Sequence, residues 1–233
     1  MGKIDSIIFD LDGTLVDSYP AAIKSSTEAL SHFGVQVSDS DIRSQFGGGS
    51  RKLLWYFLHR YLGQNKANEL IDDVIQRRLE LQLSFTDQVT LLPKVKELLE
   101  SLKIDGFRVA LATMSSSDVV QHIMNFHDIR HYFDYVVTVD DVVNVKPDPE
   151  ILVKTIDLLR VSAEQAVYCG DSSHDSEAAF SLDMPFLLIN SGLYVRGEAL
   201  QELMLSVEGR GCPVIDSEDM LQVKNAIDQI SGA

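Results

Sequence analysis

Two carboxylates, Asp10 and Asp12, close the apolar run Ile4 to Asp10 and stand directly before Gly13. At i and i+2 of an extended chain they share one side, and Gly13 permits a sharp turn away. One carboxylate so placed can attack phosphorus while its neighbour supplies a proton to the leaving oxygen. An ordinary strand end with an Asp-Gly turn is the plainer alternative. Thr113 ends a second apolar run, Arg108 to Thr113, with Met114 and then Ser115, Ser116 and Ser117 behind it. A hydroxyl at a strand tip beside a helix N-terminus suits a phosphoryl oxygen, although Ser115 to Asp118 can equally cap that helix. Lys146 lies in Val145-Lys146-Pro147-Asp148-Pro149-Glu150, where the prolines stiffen the chain and set the start of a helix. A fixed ammonium can screen charge shared by a carboxylate and a phosphate; a solvated loop lysine is the alternative. In Gly170-Asp171-Ser172-Ser173-His174-Asp175 two acids stand four apart. Close to Asp10 they would repel unless a hard dication such as magnesium joined them. Away from it they would be helix caps.

The elements that must position these strings alternate. Strands are expected at Ile4 to Asp10, Arg108 to Thr113, Tyr135 to Val139, Ala166 to Gly170 and Pro185 to Asn190. Helices are expected at Lys94 to Leu102, Asp118 to Phe126, Pro149 to Leu159, Asp175 to Leu182 and, last, Ser217 to Ile230. Near-continuous apolar strands alternating with helices indicate a doubly wound parallel sheet of α/β class, a Rossmann-like core covered on both faces. Ligands of such sheets bind beyond the carboxyl ends of the strands, and all four strings fall there. The stretch from Val16 to Thr86 instead reads as four helices: Tyr19 to Phe33, Asp39 to Gln45, Arg51 to Leu62 and Lys66 to Leu83. The expected organisation is an α/β core of residues 1–15 and 87–233 with an inserted all-helical cap of residues 16–86. Hinges are expected near Thr14 to Ser18 and Thr86 to Pro93.

The chain has 233 residues and a formal net charge of −15, from 35 acidic and 20 basic side chains. That balance argues against nucleic-acid and membrane partners. It also means that an anionic small substrate must be held by a local reversal of the field. Cys169 and Cys212 lack paired metal-ligand spacing and read as free thiols of a reducing compartment. The N-terminus lacks the long apolar segment of a signal peptide, which makes a cytoplasmic location the expectation.

Taken together, Asp10-x-Asp12-Gly13-Thr14, Thr113, Lys146-Pro147 and Gly170-Asp171-x3-Asp175 resemble the four signature motifs of the haloacid-dehalogenase-like hydrolase superfamily, in order and over essentially the whole chain. The resemblance implies a magnesium-dependent phosphatase of small phosphorylated metabolites, as a monomer or weak homodimer. It implies Asp10 as a nucleophile that forms an aspartyl-phosphate, and Asp12 as the acid and then the base. Thr113, Met114 and Lys146 would hold the transferring group. Magnesium would be bound by Asp10, the backbone carbonyl of Asp12 and Asp171, with Asp175 supporting the site. The cap segment Ile42 to Leu54 is similar to the glycine-rich loop and helix of phosphoglycolate phosphatases, which makes Arg43, Gly48 and Arg51 candidate substrate contacts. A sugar-phosphate mutase of the β-phosphoglucomutase type is the alternative, although Ala22 stands where those enzymes carry a histidine. A silent binding protein on the same fold is a further one.

Overall fold

The computed structural model describes residues 4–45 and 49–232. Gly48 lies outside the described residues, as do Phe46 and Gly47. The chain forms two compact units, one of residues up to Asp17 and from Thr90 onward, the other Ser18–Val89.

The first unit is built on a six-stranded sheet of β1 (Ser6–Phe9), β4 (Arg108–Ala112), β5 (Tyr135–Val137), β6 (Ala166–Gly170), β7 (Phe186–Asn190) and β8 (Val214–Asp216), in the order β5-β4-β1-β6-β7-β8. Every pairing in it is parallel. Parallel strands are covered on both faces and so tolerate unbroken apolar sequence; Ser6-Ile7-Ile8-Phe9 is buried throughout. On one face Ile8, Ala110 and Tyr168 pack with Ile151 and Leu152 of α7 (Glu150–Leu159) and Ala178 and Ala179 of α8 (Ser173–Phe180). Leu203 and Val207 of α9 (Gly197–Glu208) complete that cluster. Elsewhere α5 (Val95–Ile104) packs against β4 and against α10 (Gln222–Gly232), and α6 (Ser117–Phe126) follows β4.

The register decides what meets at the sheet edge. Phe9 is level with Leu111 on one side and with Cys169 on the other. The residues just beyond these positions, Asp10, Thr113 and Asp171, therefore emerge together where the strand order reverses, which is the expected crevice of a doubly wound sheet.

The elements differ from expectation in places. The strand expected at Tyr135 to Val139 stops at Val137, because Thr138 and Asp141 form a capping box that turns Val139–Asp141 into a 3-10 helix. The expected final helix is broken: Asp216 accepts a hydrogen bond from the Glu218 N–H and starts a short 3-10 turn before α10. Strand β8 and helix α9 were not foreseen.

A second, two-stranded sheet joins β2 (Val16–Asp17) and β3 (Thr90–Leu91) antiparallel, with Val16 opposite Leu91 and Asp17 opposite Thr90. This ladder ties Val16, Asp17, Thr90 and Leu91 to the first unit, so the division falls two to three residues later than the sequence boundaries.

The helical unit contains α1 (Tyr19–His32), α2 (Asp39–Ser44), α3 (Ser50–Leu62) and α4 (Gln64–Ser84). Leu53, Leu54, Phe57 and Leu58 of α3 and Ala67, Ile71 and Val74 of α4 are buried at helical spacing, and the two helices pack together. Arg78 of α4 reaches Ser26 of α1, Nε to Oγ 3.0 Å, and also Gln82.

Candidate active site

Asp10 is the first residue beyond β1, anchored by its N–H to the Cys169 carbonyl at 2.9 Å and only 7% exposed. The chain then turns back on itself, with the Gly13 N–H on the Val16 carbonyl at 2.8 Å. Gly13 has φ +80°, and a Cβ there would lie 2.0 Å from Asp171 Oδ2 and 2.8 Å from the Tyr194 ring. Only glycine satisfies both the backbone and the space. Gly13→Ala is expected to cost about 1–3 kcal/mol in strain and, by displacing Asp171, to weaken binding of a divalent cation about 10- to 100-fold. Thermal melts with and without the cation read both effects.

Lys146 delivers its ammonium into the centre of this edge. The loop before it is gripped by Glu150, whose carboxylate accepts the Val143 and Asn144 N–H groups at 2.8 Å each. Lys146 Nζ lies 2.9 Å from Asp10 Oδ1, 2.8 Å from Asp175 Oδ1 and 2.7 Å from the Tyr168 hydroxyl. Its three N–H donors meet these three acceptors, with the Ala112 carbonyl a longer contact at 3.4 Å. Asp175 is held in turn by Ser172 at the start of α8, in a capping box where Ser172 Oγ donates to Asp175 Oδ2 at 2.5 Å.

Carboxylate oxygens of Asp10, Asp171 and Asp175 lie within 4.8 Å of one another, and all three residues are buried. Burial pushes Asp10 up to about 7, aided by repulsion from Asp175 and Asp12 and opposed by Lys146. Burial likewise pushes Asp171 well above the usual carboxylate range, reinforced by Asp175 and Asp10. For Asp175 burial acts in the same sense, but Lys146, Ser172 and Tyr168 outweigh it and hold its carboxyl below the ordinary value. For Lys146 burial opposes the charge, yet Asp10 and Asp175 raise its pKa above the normal lysine value. Among the described residues, two of the three buried carboxylates, Asp10 and Asp175, pair with the buried Lys146 ammonium, and with all three ionised two negative charges would be left over. A hard, oxygen-seeking dication fits that donor set and that charge.

A second group of side chains lies beside the first. Thr113, 1% exposed, accepts the Ser115 N–H on its Oγ1 at 3.2 Å, which leaves its own hydroxyl proton free to be donated. Ser115 Oγ donates to Asp12 Oδ2 at 2.6 Å.

The sequence pattern of the family described as haloacid dehalogenase-like hydrolase matches residues 7–189, most of the chain. The chain belongs to the haloacid dehalogenase-like hydrolase family. Phosphoglycolate phosphatase of Vibrio cholerae is 35% identical over 185 residues, 77% of this chain and 81% of that protein. Pyrophosphatase PpaX of Bacillus cereus is 30% identical over 174 residues, 74% of this chain and 77% of that protein. Among solved structures, CbbY from Rhodobacter sphaeroides in complex with phosphate matches with a TM-score of 0.79 at 22% identity, covering 97% of this chain and 99% of that one. That last likeness carries the fold.

In this haloacid dehalogenase-like hydrolase the structure brings Asp10, Asp171, Asp175 and Lys146 into one cluster. The Asp12 carboxylate is turned to Ser115 and is not part of the cluster of three carboxylates, which leaves its backbone carbonyl as the atom the resemblance assigns to a metal. The Met114 side chain packs against the apolar cluster of the sheet. Arg43 and Arg51 belong to the helical unit. Arg43 stacks over the Tyr19 ring at 4.7 Å; Arg51 pairs with Asp72 at 2.8 Å on the rim of an open groove of about 620 Å³ that includes Trp55. Tyr168 was missed by sequence reasoning, although a tyrosine inside an otherwise apolar buried strand signals that its hydroxyl has a polar partner. Sequence reasoning places Ser115 in the cap of the following helix, not beside Asp12.

Proposed function

We propose that this hydrolase is a magnesium-dependent phosphatase of small phosphorylated metabolites, with 2-phosphoglycolate the first candidate. The observation that carries the reading is the buried Asp10-Asp171-Asp175 cluster with Lys146 bonded to Asp10. The phosphoglycolate phosphatase relative supports the substrate class. Arg43 and Arg51 are assigned to recognition of a substrate carboxylate.

Asp10 attacks phosphorus through a carboxylate oxygen, forming an O–P bond as the ester P–O bond breaks. Asp12, protonated, gives its proton to the departing alkoxide. In the second step Asp12 takes a proton from water as the water oxygen bonds to phosphorus and the Asp10–phosphorus bond breaks, releasing phosphate and restoring both residues. Lys146 and the Thr113 hydroxyl hold the phosphoryl oxygens, since phosphoryl transfer depends mainly on positioning and charge neutralisation. Asp10, Asp171 and the Asp12 carbonyl would hold magnesium, with Asp175 in support; when bound it neutralises charge on the transferring group.

Phosphate release from 2-phosphoglycolate, sugar phosphates and pyrophosphate, with magnesium and with excess chelator, tests the reading. Release that needs magnesium and favours a small ester is expected. Equal release in chelator would defeat the metal assignment, and no release from any compound would defeat the phosphatase assignment.

A further inference from the structure

Ser115 has a hydroxyl that its loop does not need. Its N–H is taken by Thr113 Oγ1 at 3.2 Å and its carbonyl by the Val139 N–H at 3.4 Å. The loop is fastened again one step on, where the Ser117 N–H meets Asp140 Oδ2 at 2.8 Å and the Ser117 hydroxyl meets Thr138 Oγ1 at 2.8 Å. Main-chain bonds and neighbouring side chains therefore hold Ser115 in place whatever its own side chain does. The hydroxyl is spent on Asp12 Oδ2, at 2.6 Å, 103 positions away in sequence and from the adjacent strand of the sheet. Both residues are half-buried, so water competes with this bond less than it would at the surface.

We infer that Ser115 is a positioning residue for proton transfer by Asp12. Its O–H occupies Oδ2, so the transferable proton is carried on the other carboxyl oxygen, and the carboxyl plane is fixed by a support already locked to β4 and to the corner after β5. The inference rests on the proposed acid and base role of Asp12 and adds the group that aims it. General acid catalysis contributes about 10²- to 10⁴-fold and depends on aim within hydrogen-bond reach. Loss of aim should therefore remove part of that factor and leave nucleophilic attack untouched.

Leaving groups separate the two effects. An alkoxide needs a proton as it departs, whereas 4-nitrophenolate leaves without one. The experiment measures kcat/KM, which reports steps up to leaving-group departure, for 2-phosphoglycolate and for 4-nitrophenyl phosphate with saturating magnesium. Ser115→Ala is expected to lower the alkyl-ester value about 10- to 100-fold, the nitrophenyl value less than about threefold, and Ser115→Thr to restore the alkyl-ester value. The comparison is internal to each variant, so a general loss of folded protein lowers both esters equally and cannot imitate the split. Asp12→Asn is run in parallel. If Asp12→Asn splits the two esters and Ser115→Ala does not, Ser115 has no positioning role. If Asp12→Asn itself shows no split, the acid role of Asp12 falls and the inference falls with it.

Discussion

Asp10→Asn is expected to lose more than about 10⁴-fold of turnover on every phosphate ester, because removing the proposed nucleophile would take away the covalent route and not one increment of it. The fold should survive. The substitution is nearly isosteric, keeps an oxygen for Lys146, and deletes a carboxyl that burial has pushed up to about 7. The sign of the pH effect follows from that shift. In the unfolded chain Asp10 ionises near 3.8, while in the metal-free folded protein it holds its proton to about 7. The folded state thus binds the extra proton between those values, and its stability falls as pH rises through that window. Asp10→Asn lacks this slope, so in chelator it should be at least as stable as the parent at neutral pH and less sensitive to pH. Turnover assays and melts from pH 4 to 8 measure both halves. An Asp10→Asn protein with parental turnover would end the nucleophile assignment.

Lys146→Met should be the most damaging single change to stability. The ammonium is 7% exposed and serves two buried carboxylates at 2.9 and 2.8 Å. Removing one partner of a buried ion pair and stranding the other costs about 3–5 kcal/mol, which for a chain of this size lowers Tm by about 6–20 °C. The Tyr168 hydroxyl loses its donor as well. Two further comparisons expose the cause. On the proposed metal assignment magnesium should recover part of the lost stability, because it would supply positive charge to the same carboxylates. Adding Asp175→Asn to Lys146→Met should cost less than the sum of the single changes, since one stranded charge has been removed. Strictly additive losses, or a Tm change below about 2 °C, would show that the cluster is not held by its charges. Turnover should fall with stability, as Lys146 is assigned to the transferring group.

Asp10 and Lys146 could be singled out in sequence because their strings follow apolar runs, and a parallel sheet gathers what lies beyond its carboxyl ends. Their meeting could not be read: they are 136 positions apart, and the contact depends on Phe9 standing level with Cys169 and Leu111. Register is a property of strand pairs, and one sequence holds no pairs. The same reason hid Tyr168 and Ser115, whose partners Lys146 and Asp12 come from loops far off in sequence that the sheet brings together. Strand β8 escaped because Val214–Asp216 is three residues long and follows a proline, too short for an alternation to register. Thr138 shows the opposite case. Its capping box with Asp141 is a local signal, Thr-Val-Asp-Asp, that an apolar reading of Tyr135 to Val139 overrode.

The small ladder of Val16 and Asp17 against Thr90 and Leu91 has a consequence for how this protein can vary. Paired antiparallel residues stand about 5 Å apart, so the chain leaves the sheet unit and comes back at one point. Topologically, residues 18–89 are a hairpin loop closed at its base. The entropy of closing such a loop changes by only about 0.6 kcal/mol for each doubling of its length. Loop closure therefore places almost no constraint on how long that segment is. Insertions, deletions or a wholesale exchange there leave the register of β1, β4 and β6 as it is. The length of the helical segment and the register of the sheet can therefore change independently of each other.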